Sequence, residues 1–323
     1  MPAHDVQFRL TPACVAFKLI ASMGVGAGIS AGGHAHDIFQ SVDNGATFTR
    51  LSIVSAAAGS SERCCSTLFE LPVTVGVLPA GTLLSAGSYL SGTTPAIEIY
   101  ISTDQGATWS YYDTPAIRGD GKSGGLWEPE FTIASDGALV MFWSDETAPC
   151  SSQKLVQVRT YDGKTWQDMK DTVAATVADA RPGMARVSKL PNGHYFMSYE
   201  ICGSQQQCEA YSRTSTDGWN FGTPSNLGSE IVSSTGQYFE HAPDSVWTSK
   251  GGGNGALLAV GQVLYEADGS VSPGNGTVLF VNASIDGAGS WSVEPAPVPV
   301  PDAYPPKDSV VLKAKADTDV AQR

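Results

Sequence analysis

Apolar residues fall in short runs along this chain, and four of the runs open directly after a Gly turn. Leu78-Pro-Ala-Gly81 leads into Thr82 to Leu84, Asp136-Gly137 into Ala138 to Val140, Asn192-Gly193 into His194 to Phe196, and Asn254-Gly255 into Ala256 to Leu258. A tight turn followed by a few apolar residues predicts a β-hairpin strand.

A second phrase follows each of these turns further along the chain. Ser41-Val-Asp43-Asn-Gly45-Ala-Thr47-Phe48 returns almost unchanged as Ser102-Thr-Asp104-Gln-Gly106-Ala-Thr108-Trp109. Looser forms occur around Asp162 and Trp166, Asp217 and Phe221, and Asp286 and Trp291, so the aspartates are separated by 61, 58, 55 and 69 residues. Four strands of about five or six residues with their turns consume on the order of 40 to 60 residues, which makes each repeat one four-stranded blade. Dividing the chain by that step predicts about six blades. The phrase reads as a structural turn: Asp accepts turn amides, Gly supplies a positive φ, and the aromatic ring packs between blades.

Composition agrees. Of 323 residues, 42% are hydrophobic and only 16% charged, with 35 Gly and 19 Pro, which suits many short strands joined by turns. The fold class expected is all-β, a propeller of four-stranded antiparallel blades whose terminal blade is less complete. Residues 1–33 read as a signal-like or altered segment carrying a first-blade strand, 34–292 as the propeller, and 293–323 as a Pro-rich, charged tail. No apolar stretch is long and clean enough for a membrane helix. A net charge of −13 argues against nucleic acid and anionic membranes as partners. Neutral ligands stay open.

Six cysteines are present. The spacing of Cys202 and Cys208 would close a small hairpin loop, whereas the adjacent Cys64 and Cys65 are expected not to pair with each other, one reaching Cys150 or staying free. Asn275-Gly-Thr277 and Asn282-Ala-Ser284 are glycosylation sequons consistent with an oxidising, extracellular setting. His34 and His36 lack a third ligand nearby, so neither metal nor cofactor is expected.

Propeller sites lie at one end of the central channel, where the inner strands converge. Acids in otherwise apolar strands there are candidates. Trp127-Glu128-Pro129-Glu130 places two carboxylates beside a Trp, and Glu200 follows the strand ending in Tyr199. A pair of carboxylates is what glycoside hydrolysis requires, one to protonate the leaving oxygen and one to attack or to activate water. Trp127 and Tyr199 would offer stacking surface. The competing readings are a loop acid for Glu128 and a rim salt bridge to Arg181 or Arg186 for Glu200. Tyr238 and His241, in Gln237-Tyr-Phe-Glu240-His241, would reach substrate from the next blade.

Trp127-Glu128-Pro129, Arg181-Pro-Gly-Met184, Leu190-Pro-Asn-Gly193 and Ser198-Tyr199-Glu200 together resemble glycoside hydrolase family 93, the fungal exo-α-L-arabinanases, within the sialidase-like Asp-box propellers. The likeness runs from about Cys64 to Val281. It implies a six-bladed propeller that is secreted and monomeric, needs no cofactor, and cleaves 1,5-α-L-arabinan with retention through two glutamates. By motif these are Glu128 as acid/base and Glu200 as nucleophile, with Trp127, Glu130, Arg181, Tyr199, Tyr238 and His241 binding substrate. Two alternatives carry different chemistry: a sialidase, which needs three arginines (from Arg63, Arg118, Arg181 and Arg213) and a Tyr nucleophile, and a non-catalytic glycan-binding propeller.

Overall fold

A computed structural model describes residues 6–10, 19–24, 34–43, 47–149, 151–250 and 253–297, with side chains from His36 onward. Among these residues no helix occurs, and so none is long and apolar enough to cross a membrane. Cys14, Cys150, most of the predicted leader and the tail beyond Pro297 lie outside the described residues.

The described strands form five antiparallel sheets. The first holds β1 (Val6–Leu10), β2 (Leu19–Gly24), β3 (His34–Ser41) and β4 (Thr49–Ser55). The second holds β5 (Ser60–Glu70), β6 (Leu83–Ser91), β7 (Thr94–Ser102) and β8 (Ser110–Ile117). The third holds β9 (Leu126–Ile133), β10 (Leu139–Asp145), β11 (Lys154–Thr160) and β12 (Gln167–Val173). The fourth begins with β13 (Arg181–Lys189), β14 (Tyr195–Cys202) and β15 (Glu209–Ser215). It is extended by β16 (Ser229–Glu230), β17 (Tyr238–Glu240) and β20 (Val263–Tyr265). The fifth holds β18 (Asp244–Thr248), β19 (Ala256–Val260), β21 (Val278–Asn282) and β22 (Ser292–Pro295). The first strand of each sheet packs against the first strand of the next, from β1 to β5, β9, β13 and β18. That is the stacking of propeller blades around a channel.

The repeated Asp turns all join the third and fourth strands of their sheets. At Asp104, Oδ1 accepts the Thr108 amide at 2.9 Å and Oδ2 the Thr108 hydroxyl at 2.6 Å, while Gly106 adopts φ 82°. The aromatic residue then reaches the preceding sheet: Trp109 Nε1 donates to Ser52 Oγ at 3.2 Å and Trp166 Nε1 to Asp113 at 2.8 Å. Phe221 meets Phe142 edge-on, and Trp291 lies 6.0 Å from Phe196. Middle strands are buried on both faces, as in Leu139 to Ser144, and four apolar clusters fill the spaces between successive sheets.

Two expectations change. Cys64 and Cys65 form a disulfide with each other, their Cα atoms 3.7 Å apart, because β5 bulges there and Cys65 takes φ 67°. Cys202 and Cys208 pair as expected. Of the two sequons, Asn282 is closed to a glycan: it is 3% exposed, and its Nδ2 donates to the carbonyls of Gly287 and Ala288. Asn275 uses Oδ1 to accept the Leu264 amide, which is compatible with a sugar on Nδ2. His36 is fully buried between Glu62, 3.0 Å from Nδ1, and Ser85, 2.8 Å from Nε2, tying the first sheet to the second.

Hydrogen bonds to their ionised forms hold the turn aspartates low, Asp104 through Thr108 and Ser102 to about 2. For Asp217 burial pulls upward, but bonds from Asn220, Trp219 and Ser215 bring it to about 2. A depressed carboxylate adds stability above its unfolded pKa of about 4 and loses it as pH falls toward the folded value. Thermal melts are expected to be level down to about pH 4 and then to fall toward pH 2, less steeply in Asp104→Asn; equal slopes would count against this account.

Candidate active site

The innermost strands of the second, third and fourth sheets share a device. Each is interrupted by a bulge containing a left-handed residue, namely Cys65 (φ 67°), Glu128 (φ 57°) and Met184 (φ 57°). Between β17 and β18, His241 (φ 61°) and Ala242 (φ 43°) adopt the same conformation. Bulges re-aim side chains and free amides from the ladder, and they recur beside active sites. Here the β13 bulge frees the Met184 amide, and the turn before β18 offers that of Ala242.

Glu128 Oε2 accepts the Ser144 hydroxyl at 2.6 Å and the Met184 amide at 3.1 Å. Glu200 is 9% exposed, and its Oε2 accepts the Ala242 amide at 2.8 Å. Each acid is thus held by an amide from further along the chain. Gly183 brings them together. It is the register partner of Glu200, and a Cβ on it would lie 3.3 Å from Glu128 Oε2 and 2.6 Å from Gln153 Nε2.

The two environments differ. Burial first, and the neighbouring charge of Glu128 second, raise Glu200 to about 8, against the weaker opposing pull of the Ala242 amide and Arg181. Glu128 is partly exposed, and the Ser144 hydroxyl and the Met184 amide both donate to one of its oxygens.

Arg181 stands on β13 facing Glu146 and Gln153, with Nη2 at 2.5 Å and 2.7 Å from their oxygens and Nη1 at 3.1 Å from Ser152. Burial pushes the Glu146 carboxyl up, but Arg181, Trp127 and the Gly125 amide outweigh it and hold it below its usual range. Arg181 therefore acts on Glu200 as a nearby charge. The predicted rim salt bridges go to other acids, Arg181 to Glu146 and Arg186 to Glu130 at 3.2 Å.

Other predicted contacts sit elsewhere. Tyr199 is fully buried in the core between the third and fourth sheets, its hydroxyl donating to the Leu227 carbonyl at 2.6 Å, and offers no face to a sugar. Alternation along β14 explains this, since Tyr199 and Glu200 must point to opposite faces. Glu130, 2% exposed, is closed off by Arg186 and by Thr67 at 3.2 Å. Tyr238 stacks on Tyr265, ring centres 5.5 Å apart, in the extension of the fourth sheet. Trp127 is beside Glu128 in the chain, but its ring presses against Gly125 and carries the Arg63 guanidinium 4.0 Å from its centre. His241 adjoins Ala242, and burial lowers its pKa, favouring the neutral ring. Its donor atoms cluster with the sulfurs of Cys202 and Cys208 within 4.8 Å, but those sulfurs are bonded to each other and supply no thiolate. Sequence reasoning missed Ser144, Gly183 and Ala242, which depend on long-range register; the Gly within Arg181-Pro-Gly-Met184 was the available signal.

No protein-family model matches the chain, and a search of curated proteins finds no match. Solved structures do match. An α-L-arabinanase of Penicillium chrysogenum, complexed with arabinobiose, is 29% identical with a TM-score of 0.74, the match covering 92% of this chain and 87% of that one. The GH93 α-L-arabinofuranosidase of Fusarium graminearum, also with arabinobiose, is 28% identical with a TM-score of 0.72, over 87% of this chain and 78% of that one. The Hadza microbial sialidase Hz136 shares the fold alone, at 13% identity and a TM-score of 0.54, over 85% of this chain and 55% of that one. The architecture is that of a glycoside hydrolase propeller. Within that class, the chain has the arabinanase-like fold of glycoside hydrolase family 93.

Two outcomes are expected at the site. A carboxyl whose folded pKa is raised contributes most below its unfolded value and loses that contribution as pH rises toward about 8. Glu200→Gln should therefore melt higher than the wild type at pH 7 and no higher near pH 4; a lower melting temperature at pH 7 would contradict the burial argument. Gly183→Ala should lower kcat about tenfold to a hundredfold in a folded protein, because its methyl displaces Gln153 and crowds Glu128. An unchanged kcat would remove Gly183 from the site.

Proposed function

We propose that this protein is a secreted, monomeric, cofactor-independent exo-α-L-arabinanase that cleaves linear 1,5-α-L-arabinan with retention. The observation that carries it is the pair of carboxylates around Gly183, one buried and raised and the other fixed by two donors. The likeness to two arabinobiose complexes supplies the sugar class. Two disulfides accord with an oxidising compartment. In this reading the ring is six-bladed, five of its sheets lying among the described residues.

Glu128 is the nucleophile and Glu200 the acid/base, the reverse of the role order the resemblance implies. Glu200 gives its proton to the glycosidic oxygen as the C–O bond breaks, and Glu128 forms a bond to the anomeric carbon. The leaving sugar departs with the proton. Glu200, now anionic, takes a proton from water, whose oxygen displaces Glu128 and restores both acids. Retention needs the carboxyls roughly 5 to 5.5 Å apart. Loss of the Glu200 proton predicts that kcat/KM falls as pH rises through about 8.

The sialidase alternative requires converging arginines. Arg63 lies on Trp127, Arg181 on Glu146, Arg118 on the Gly124 carbonyl, and Arg213 is 6% exposed among the Thr172, Phe221 and Pro224 carbonyls. Their separate engagements weigh against that reading.

The test is sugar release from linear 1,5-α-arabinan and from a sialyl glycoside by wild type, Glu128→Ala and Glu200→Ala. Wild type should release arabino-oligosaccharides, and each variant should lose at least about a thousandfold in kcat. With an activated aryl arabinofuranoside and azide, Glu200→Ala should give a glycosyl azide of retained configuration and Glu128→Ala one of inverted configuration. The opposite pattern would restore the role order implied by the resemblance, and sialate release would replace the arabinanase.

A further inference from the structure

A neutral furanose bound beside Glu128 needs an apolar surface for its C–H face, since such sites are lined largely by apolar groups with a few polar ones for orientation. The two aromatics expected there do not provide it: Tyr199 is in the core, and the face of Trp127 is taken by Arg63. Another group stands at the same level of the channel. Cys65 occupies in β5 the bulge position that Glu128 occupies in β9. Two ties between the second and third sheets, one from β6 and one from β5 itself, fix the alignment of β5 against β9. Ser88, the register partner of Cys64, donates to the Leu126 carbonyl, and Thr67 Oγ1 donates to Glu130 Oε2 at 3.2 Å. Cys64 and Cys65 fall between these ties, as Glu128 falls between Leu126 and Glu130. Both cysteines are partly exposed.

Adjacent cysteines joined to each other close a small ring with no free thiol, no hydrogen-bond donor on its side chains and a polarisable surface. Two separate thiols would have to be ordered on binding, whereas the closed ring is already rigid. We propose that the Cys64–Cys65 disulfide is a substrate-binding element, the apolar platform on which the sugar beside Glu128 rests. The inference builds on the glycosidase reading above.

Its test compares the wild type with a Cys64→Ala/Cys65→Ala double variant on α-1,5-linked arabino-oligosaccharides. With the platform removed, KM should rise about tenfold while kcat stays within about twofold. Activity in the wild type with an unchanged KM in the variant overturns the platform alone. A wild type that releases no arabino-oligosaccharide overturns the glycosidase reading and the platform with it. If the double variant does not fold, judged by its melting curve, the disulfide is followed in a Glu128→Gln chain treated with a water-soluble phosphine, trapping new thiols by alkylation and locating them by mass spectrometry. Saturating arabino-oligosaccharide should slow the appearance of thiols at Cys64 and Cys65. Equal rates with and without the sugar overturn the proposal.

Discussion

The middle strands of the third and fourth sheets are buried on both faces, and that constraint organises the rest. Leu139 to Ser144 is buried on both sides, as is Tyr195 to Ile201, so neither sheet could stand in water on its own. Each must be covered by a neighbour before and a neighbour after. The aromatic residues of the Asp turns serve this need, each reaching back to the preceding sheet from the outer end of its own. Once the sheets stack in this way, their first strands converge, and whatever interrupts those strands faces a common channel.

The chemistry of the channel follows from these interruptions. A regular ladder would consume the amides of Met184 and Ala242 and would point neighbouring side chains alternately away. The β13 bulge releases the Met184 amide to Glu128, and the left-handed turn between β17 and β18 presents the Ala242 amide to Glu200. Burial then separates the two acids: Glu200 keeps its proton because water is excluded and Glu128 is close, while Ser144 and Met184 hold Glu128.

The fold was legible in the sequence because its signals are local. Asp, Gly and an aromatic within one turn encode that turn wherever they occur, and their repetition reveals the blade. Glu128 and Glu200 could be singled out for a similar reason, as charges set among apolar strands. What surrounds them was not. Choosing Tyr199 as well as Glu200 overlooked strand alternation, which turns one of two successive residues into the core. Glu130 and Arg181 were visible as charges, but their partners Arg186 and Glu146 come from register and from neighbouring sheets. Adjacency argued against a bond between Cys64 and Cys65, and only the bulge in β5 makes room for it.

The backbone amides that hold the acids both come from further along the chain, Met184 in the fourth sheet for Glu128 and Ala242 just ahead of the fifth for Glu200. Neither glutamate is fully set by its own sheet. In the two-glutamate reading proposed above, catalytic competence is therefore a property of the junctions between blades, so a slight parting of neighbouring sheets would silence turnover while leaving the strands intact. Heat or denaturant should abolish turnover before any loss of β-sheet signal, making activity a more sensitive gauge of the packing between sheets than spectroscopy of the backbone.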